Sequence, residues 1–190
     1  MKIDYQHFQL ITIENAEDFA PHAESFAKAF QSVFTSPPYH EQFLLSEALA
    51  IMEFHLETRQ RWTMLAFLDD EVVGFGLGCA LRNYPEISRH IHGLLPPKYT
   101  HYFAELGVIP EHRQQGLGKQ ITQRYLDWVD QQPYNHVLMR ISDTPSLANQ
   151  MFVDMGFEDI GVSMEIASRR VDGSFQKDRR LFLSRLIQTA

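Results

Sequence analysis

The sequence predicts an α/β fold of the α+β kind, a mixed central sheet with helices on both faces. Three observations predict it. About seven apolar stretches have the alternation or the β-branched and aromatic content of strands, four segments repeat apolar residues at helical spacing, and strands alternate with helices only in the middle of the chain. A purely parallel sheet needs that alternation from end to end, so the sheet is expected to be mixed.

"FQLITI", residues 8–13, alternates as a half-buried strand does. Asn15 can then cap a helix with Asp18 three positions on, and Phe19, Ala23, Phe26, Ala27, Phe30, Val33 and Phe34 recur at helical spacing. That helix should stop before "SPPY", because Pro37 and Pro38 cannot continue it. A second helix covers "EQFLLSEALAIMEFHLE". "WTMLAFL" and "VVGFGLGCAL" read as a hairpin turned at Asp69 and Asp70. "NYPEISRHIHGLLPPKYT", with Pro85, Pro96 and Pro97, reads as a loop holding one short helical turn. "HYFAELGV" is a strand. "GKQITQRYLDWVDQQ" is a helix with Leu117, Ile121, Tyr125, Trp128 and Val129 along one stripe, and "HVLMRI" is a further strand. Thr144 as cap, with Pro145 at the first helical position, opens another helix, and Gly156 is placed to end it. "EDIGVSMEIA" and "RRLFLSRLI" finish the chain as an antiparallel pair joined through "VDGS".

The 190 residues, 44% hydrophobic and 22% charged and without repeat or linker, suit a single domain over 1–190. "MKIDYQHFQL" lacks the charged start and apolar run of a signal peptide, and no segment approaches a membrane span, so a soluble cytoplasmic protein is expected. The lone Cys79, among apolar neighbours, excludes an internal disulfide framework and reads as an inert buried thiol. With 24 acidic against 17 basic side chains the net charge is -7, which disfavours nucleic acid and anionic lipid as partners and favours approach of cations.

Chemistry concentrates in "VIPEHRQQGLGKQITQRYLDWV", where a strand runs through a glycine-punctuated turn into a helix. Gly116 and Gly118 let the backbone bend and let a ligand approach. The first amides of a helix lack intrahelical acceptors and carry the positive end of its dipole. Together they make an anion site, with Arg113 and Lys119 as cations at its rim. The loop is neither a Walker loop, since the first glycine is missing and Gln120 follows Lys119, nor a Gly-x-Gly-x-x-Gly turn. The alternating glycines Gly74, Gly76 and Gly78 lie inside a strand and read as packing or bulge positions.

"LGVIPEHRQQGLGKQI" resembles motif A of the GNAT superfamily, the acyl-CoA-dependent N-acyltransferases: Arg/Gln-x-x-Gly-x-Gly/Ala after Val-x-Pro-Glu-x-Arg, matched by Val108, Pro110, Glu111, Arg113, Gly116 and Gly118. "ANQMFVDMGF" resembles the family's second signature at Ala148, Met151, Phe152, Gly156 and Phe157. The resemblance, which extends to the element order, implies a mostly antiparallel sheet whose strand Phe103 to Val108 splays from the strand ending near Arg140. It implies acetyl-CoA in that wedge, its pantetheine on backbone of Leu106, Gly107 and Val108 and its pyrophosphate on the amides of Gln114, Gln115, Gly116, Leu117, Gly118 and Lys119. Backbone N–H near Val108 would polarise the thioester carbonyl. The activity implied is direct transfer of an acetyl group to a primary amine of a small molecule, peptide or protein. The alternative is a non-catalytic acyl-CoA-binding module of the same fold, and pairing of the last strands across a homodimer, known in the superfamily, stays open.

Glu105 is the candidate base that takes the ammonium proton, or else an ordinary solvated strand carboxylate. Phe152 stands where many family members carry a tyrosine and cannot donate a proton, so it packs beside the cofactor sulfur while the thiolate leaves unprotonated or Tyr134 or Tyr102 serves as acid. Pro145 occupies the usual place of the family's asparagine; either Asn149 or Ser142 replaces its bond to the pantetheine, or they serve as cap and helix surface. Arg140 contacts acceptor or cofactor, or pairs with a surface acid. His55, His90 and His92 read as surface histidines, and no metal is expected. By position in the family, Tyr39, His40 and Glu41 flank the acceptor pocket.

Overall fold

The computed structural model describes residues 8–187. The strands are β1 (Gln9–Thr12), β2 (Arg61–Leu68), β3 (Glu71–Ala80), β4 (Thr100–Val108), β5 (His136–Ser142), β6 (Glu158–Arg169) and β7 (Phe175–Leu186). The α-helices are α1 (Ala16–Phe19), α2 (Ala23–Thr35), α3 (Leu45–Glu57), α4 (Pro85–His90), α5 (Leu117–Val129) and α6 (Leu147–Asp154). All seven strands join one sheet in the order β1-β2-β3-β4-β5-β7-β6, antiparallel except where β4 lies parallel to β5. The mixed, mostly antiparallel sheet expected from the sequence is the one found. Among the described residues no helix is long and apolar enough to cross a membrane.

Two helix layers cover the sheet. On one face α5 and α6 pack Leu117, Ile121, Tyr125 and Phe152 against Trp62, Phe103 and Met139. On the other, α2 and α3 pack Phe26, Phe30, Phe34 and Met52 against Leu65, Phe75 and Leu77, and α4 joins Ile87 to Tyr102, Leu138 and Phe182. Close approach of α5 explains the glycine spacing of β3: a Cβ at Gly76 would lie 2.7 Å from Ile121 Cγ2 and 2.8 Å from Trp62 Cζ3.

Local signals placed most elements. Asn15 caps α1, its Oδ1 accepting from the amides of Glu17 (2.9 Å) and Asp18 (3.0 Å). Asp69 and Asp70 take positive φ, as a two-residue hairpin of this twist requires. Three expectations needed correction. The first helix is interrupted by a 3-10 turn at Ala20–His22, where Pro21 lacks the amide a continuous helix would use. The second begins at Leu45, not Glu41, because the Gln42 amide bonds to the Arg169 carbonyl (2.8 Å) and Glu41 bridges Arg170. The α6 cap is Ser146, whose Oγ accepts from the Asn149 amide (3.3 Å), rather than Thr144, so Pro145 precedes the cap.

Candidate active site

β4 and β5 run together only from Thr100 opposite His136 to Phe103 opposite Met139. Past that point β4 stays on β3 and β5 follows β7, which opens a wedge between them. The splay expected for this strand pair is thus present. A β-bulge sits at its apex: Leu77 faces Glu105 and Gly78 faces Phe103, leaving Ala104 without a counterpart.

The bulge also re-aims a side chain. In a regular strand Phe103 and Glu105 would share a face. Phe103 packs in the α5–α6 layer, whereas Glu105 pairs across from Leu77 of the α2–α3 layer and lines a cavity of about 310 Å³. Leu106 turns back to the α5–α6 layer, so Glu105 and Leu106 lie on opposite sides. The other cavity walls are Phe34, Tyr39, Glu41, Phe43 and Ile51 on one side, Arg140 and Arg180 at the sheet, and Asn149 and Phe152 from α6.

Backbone polarity is exposed along one edge of this wedge. The Ile109 amide bonds to Val73 O (3.0 Å) on the β3 side, so alternation turns the amides of Leu106 and Val108 toward the gap that β5 has left. Beyond them, the amides of residues 114–119 have no protein acceptor among the described residues; the first amide of α5 with one is Gln120, bonded to Gly116 O (3.0 Å). Gly116 holds φ +82 and Gln114 φ +61, which curl the loop around these N–H groups. Six successive free donors at the start of a 13-residue helix form an anion cradle.

The side chains around the cradle divide by role. Leu117 is buried and anchors α5 in the core, and Lys119 is exposed. Arg113 does not act as a rim cation. Its Nε donates to Val108 O (3.0 Å), Nη1 to Pro37 O (2.9 Å), and Nη2 to Val33 O (3.2 Å) and Ser36 Oγ (2.6 Å). The Val33, Ser36 and Pro37 acceptors lie at or just past the C-terminal end of α2, the negative end of its dipole, so the guanidinium clamps the cradle loop to that helix. Gln115 Nε2 donates to Glu111 O (3.2 Å). A Cβ at Gly118 would meet nothing closer than 3.8 Å, so this position keeps open space beside Val108 and Met151.

On the far side of the wedge the charges are coupled. Burial pushes the Glu105 carboxyl up to about 7; the Arg140 guanidinium opposes this and the Glu41 carboxylate adds to it. Glu105 is half-buried in the cavity wall, less exposed than an ordinary solvated strand carboxylate. Glu41 is buried and paired with the buried Arg180, which also lies 3.5 Å from Asp178 and 5.0 Å from the centre of the Tyr39 ring. Burial raises the Tyr39 phenol above its usual range, against the pull of Arg180. His40 is exposed and does not line the cavity.

Other expected residues fall elsewhere. Tyr102 and Tyr134 are buried in core clusters away from the cavity wall, which leaves Tyr39 as the phenol on that wall. Phe152 is buried against Phe157, ring centres 5.6 Å apart. Asn149 uses its carboxamide internally, Nδ2 donating to Ser142 O (3.1 Å) and Oδ1 accepting from Ser146 Oγ. His55 is not at the surface: it sits on the core side of α3, 3.1 Å from the Tyr84 hydroxyl, and burial holds its imidazole down to about 4. Cys79 is buried. Arg180 escaped the sequence reading, although it shares a face with Phe182 and Ser184, both buried, and a charge in a core-facing phase was a usable signal.

Comparison with known proteins agrees with this geometry. No curated protein sequence matches the chain. Among solved structures, a protein from Acinetobacter baylyi superposes with a TM-score of 0.73 at 14% identity, covering 99% of this chain and 96% of that one. The N-acetyltransferase from Staphylococcus aureus gives 0.65 at 15% identity, covering 96% and 99%. The ribosomal-protein-S18-alanine N-acetyltransferase from Escherichia coli gives 0.64 at 10% identity, covering 97% and 96%. At these identities the likeness is one of fold. The profile of the acetyltransferase (GNAT) family matches residues 21–157, from the helices below the cavity to the aromatic that follows α6. With its splayed strands, its amide cradle and this match over most of its length, the chain belongs to the acetyltransferase (GNAT) family.

Proposed function

We propose that the chain transfers the acetyl group of acetyl-CoA to a primary amine of a small molecule or peptide, by direct attack within a ternary complex. The observation that supports this most is the run of six acceptor-free amides at residues 114–119 beside the open edge of β4, a cradle for a diphosphate next to donors for a pantetheine. Binding there uses backbone, since Arg113 is committed to α2.

Glu105 takes the proton that the attacking amine gives up, and a carboxyl titrating at about 7 is suited to that work near neutral pH. The amides of Leu106 and Val108 donate to the carbonyl oxygen as it gains negative charge. The new bond joins amine nitrogen to acetyl carbon, and the bond that breaks is carbon to sulfur. Tyr39, held protonated by burial, returns a proton to the departing thiolate in place of the hydroxyl that Phe152 lacks. The fully buried, unpaired thiol of Cys79 fits a cytoplasmic setting.

Release of free CoA from acetyl-CoA across a panel of amines tests the reading. Amine-dependent release is expected. Tight acetyl-CoA binding without turnover of any amine would instead support a non-catalytic binding module, and absence of binding would overturn both.

A further inference from the structure

We propose that the acceptor is a zwitterion, a small molecule carrying its primary amine and a carboxylate or similar oxyanion on an apolar body, with Arg140 binding the anionic end. This rests on the acyl-transfer reading above and names the substrate class that site takes.

Four charged side chains line the cavity: Glu41, Glu105, Arg140 and Arg180. Glu41 and Arg180 are paired, and Arg180 has Asp178 as a second neighbour. Arg140 has no carboxylate within 4.0 Å among the described residues; the contact its guanidinium makes is Nη1 to the thioether of Met164 at 3.7 Å. A guanidinium carries five donors in a planar fork matched to an oxyacid, and a thioether is a weak acceptor. Arg140 follows Met139, the last β5 residue paired with β4, so the fork emerges at the apex of the wedge. Glu105 emerges from the facing strand just beyond the bulge. It too has no contact ion pair or side-chain hydrogen bond among the described residues, so Glu105 and Arg140 feel each other's charge across the cavity without touching, and each leaves its hydrogen-bonding positions open to a ligand. An ammonium on Glu105 and a carboxylate on Arg140 satisfy both.

The remaining walls limit the body of that molecule. Phe34, Phe43 and Ile51 are apolar, and a cavity of about 310 Å³ admits a small molecule rather than a folded surface. A polyamine would place its second cation against the Arg140 and Arg180 guanidiniums. The overall charge of -7 favours cations at long range, but the cavity itself is balanced.

The test measures acetyl-CoA-dependent CoA release for the common amino acids, each compared with its amide and its decarboxylated amine, alongside calorimetric titration with acetyl-CoA. We expect kcat/KM for at least one amino acid to exceed that of its amide by about 100-fold, the size of a buried charge pair. Arg140→Met should collapse that ratio toward unity, Arg140→Lys should restore part of it, and both should keep the wild-type affinity for acetyl-CoA, which reports folding. Amides or decarboxylated amines turned over as well as their amino acids would overturn the zwitterion while leaving acyl transfer intact. So would acetyl-CoA binding with turnover of no amino acid. Failure of acetyl-CoA to bind would instead remove the reading on which this one rests.

Discussion

Glu105→Gln separates catalysis from stability at one residue. The substitution keeps the shape of the side chain and removes its capacity to take a proton. Loss of a general base costs about 10²- to 10⁴-fold in kcat/KM. Because burial sets the carboxyl at about 7, the wild-type profile should bend there, with roughly a tenth of the base form remaining one pH unit below, and the variant should lack that bend. Stability moves the other way. The carboxyl titrates near 4.5 when ordinary and at about 7 when folded, so the folded chain holds the proton more tightly. Its contribution is fully present below about pH 4.5 and is lost as pH rises through about 7. The gap corresponds to about 3 kcal/mol at ~1.4 kcal/mol per pH unit, trimmed to about 2 kcal/mol by the part of the side chain that solvent reaches. Glu105→Gln should therefore raise Tm by about 5 °C at about pH 8 and by almost nothing at about pH 4.5, measured by calorimetry in parallel with CoA release. A variant with more than about a third of wild-type activity and the bend intact would refute the assignment of the base.

Gly116→Trp should abolish acetyl-CoA affinity by calorimetry, because the side chain would project over the cradle; the space is open but φ +82 strains any L side chain, so Tm should fall while circular dichroism keeps its native shape, and retained affinity in the folded variant would misplace the site. Arg113→Ala should lower stability by about 3 kcal/mol in urea unfolding, since it strips charged donors from three carbonyls and a hydroxyl. Its acetyl-CoA affinity at temperatures where it is folded should depend on salt as steeply as that of the wild type, as the guanidinium faces α2 rather than the ligand; a shallower dependence would show that Arg113 attracts the ligand after all. Tyr39→Phe should reduce kcat about 10-fold or more while leaving acetyl-CoA affinity unchanged, and an unchanged kcat would show that the thiolate leaves without its help.

What could be read from the sequence was decided within a few residues along the chain. Asn15 finds its acceptors two and three positions away, Asp69 and Asp70 set the hairpin by their own dihedrals, and Gly116 supplies the left-handed turn that starts α5. The amide cradle is of this kind, because unsatisfied N–H groups follow from any helix start preceded by such a turn. Where several local solutions compete, as among Ser142, Thr144 and Ser146 before α6, the choice passed to a contact outside the segment, the Asn149 carboxamide reaching back to Ser142 at the end of β5.

The tertiary structure alone decided what each charge does. Glu105 faces the cavity because β4 slips by one residue against β3, and a bulge is a property of two strands in register. Glu41 is paired with Arg180, 139 positions away, which leaves Arg140 without a carboxylate contact among the described residues, while Arg113 is spent on the carbonyls of Val33 in α2 and Pro37 just past it, 80 and 76 positions away. Helix periodicity and turn chemistry act over about four residues, so they fix the elements. Ion pairing and desolvation act through space among side chains that only the closed sheet brings together, so they fix the chemistry.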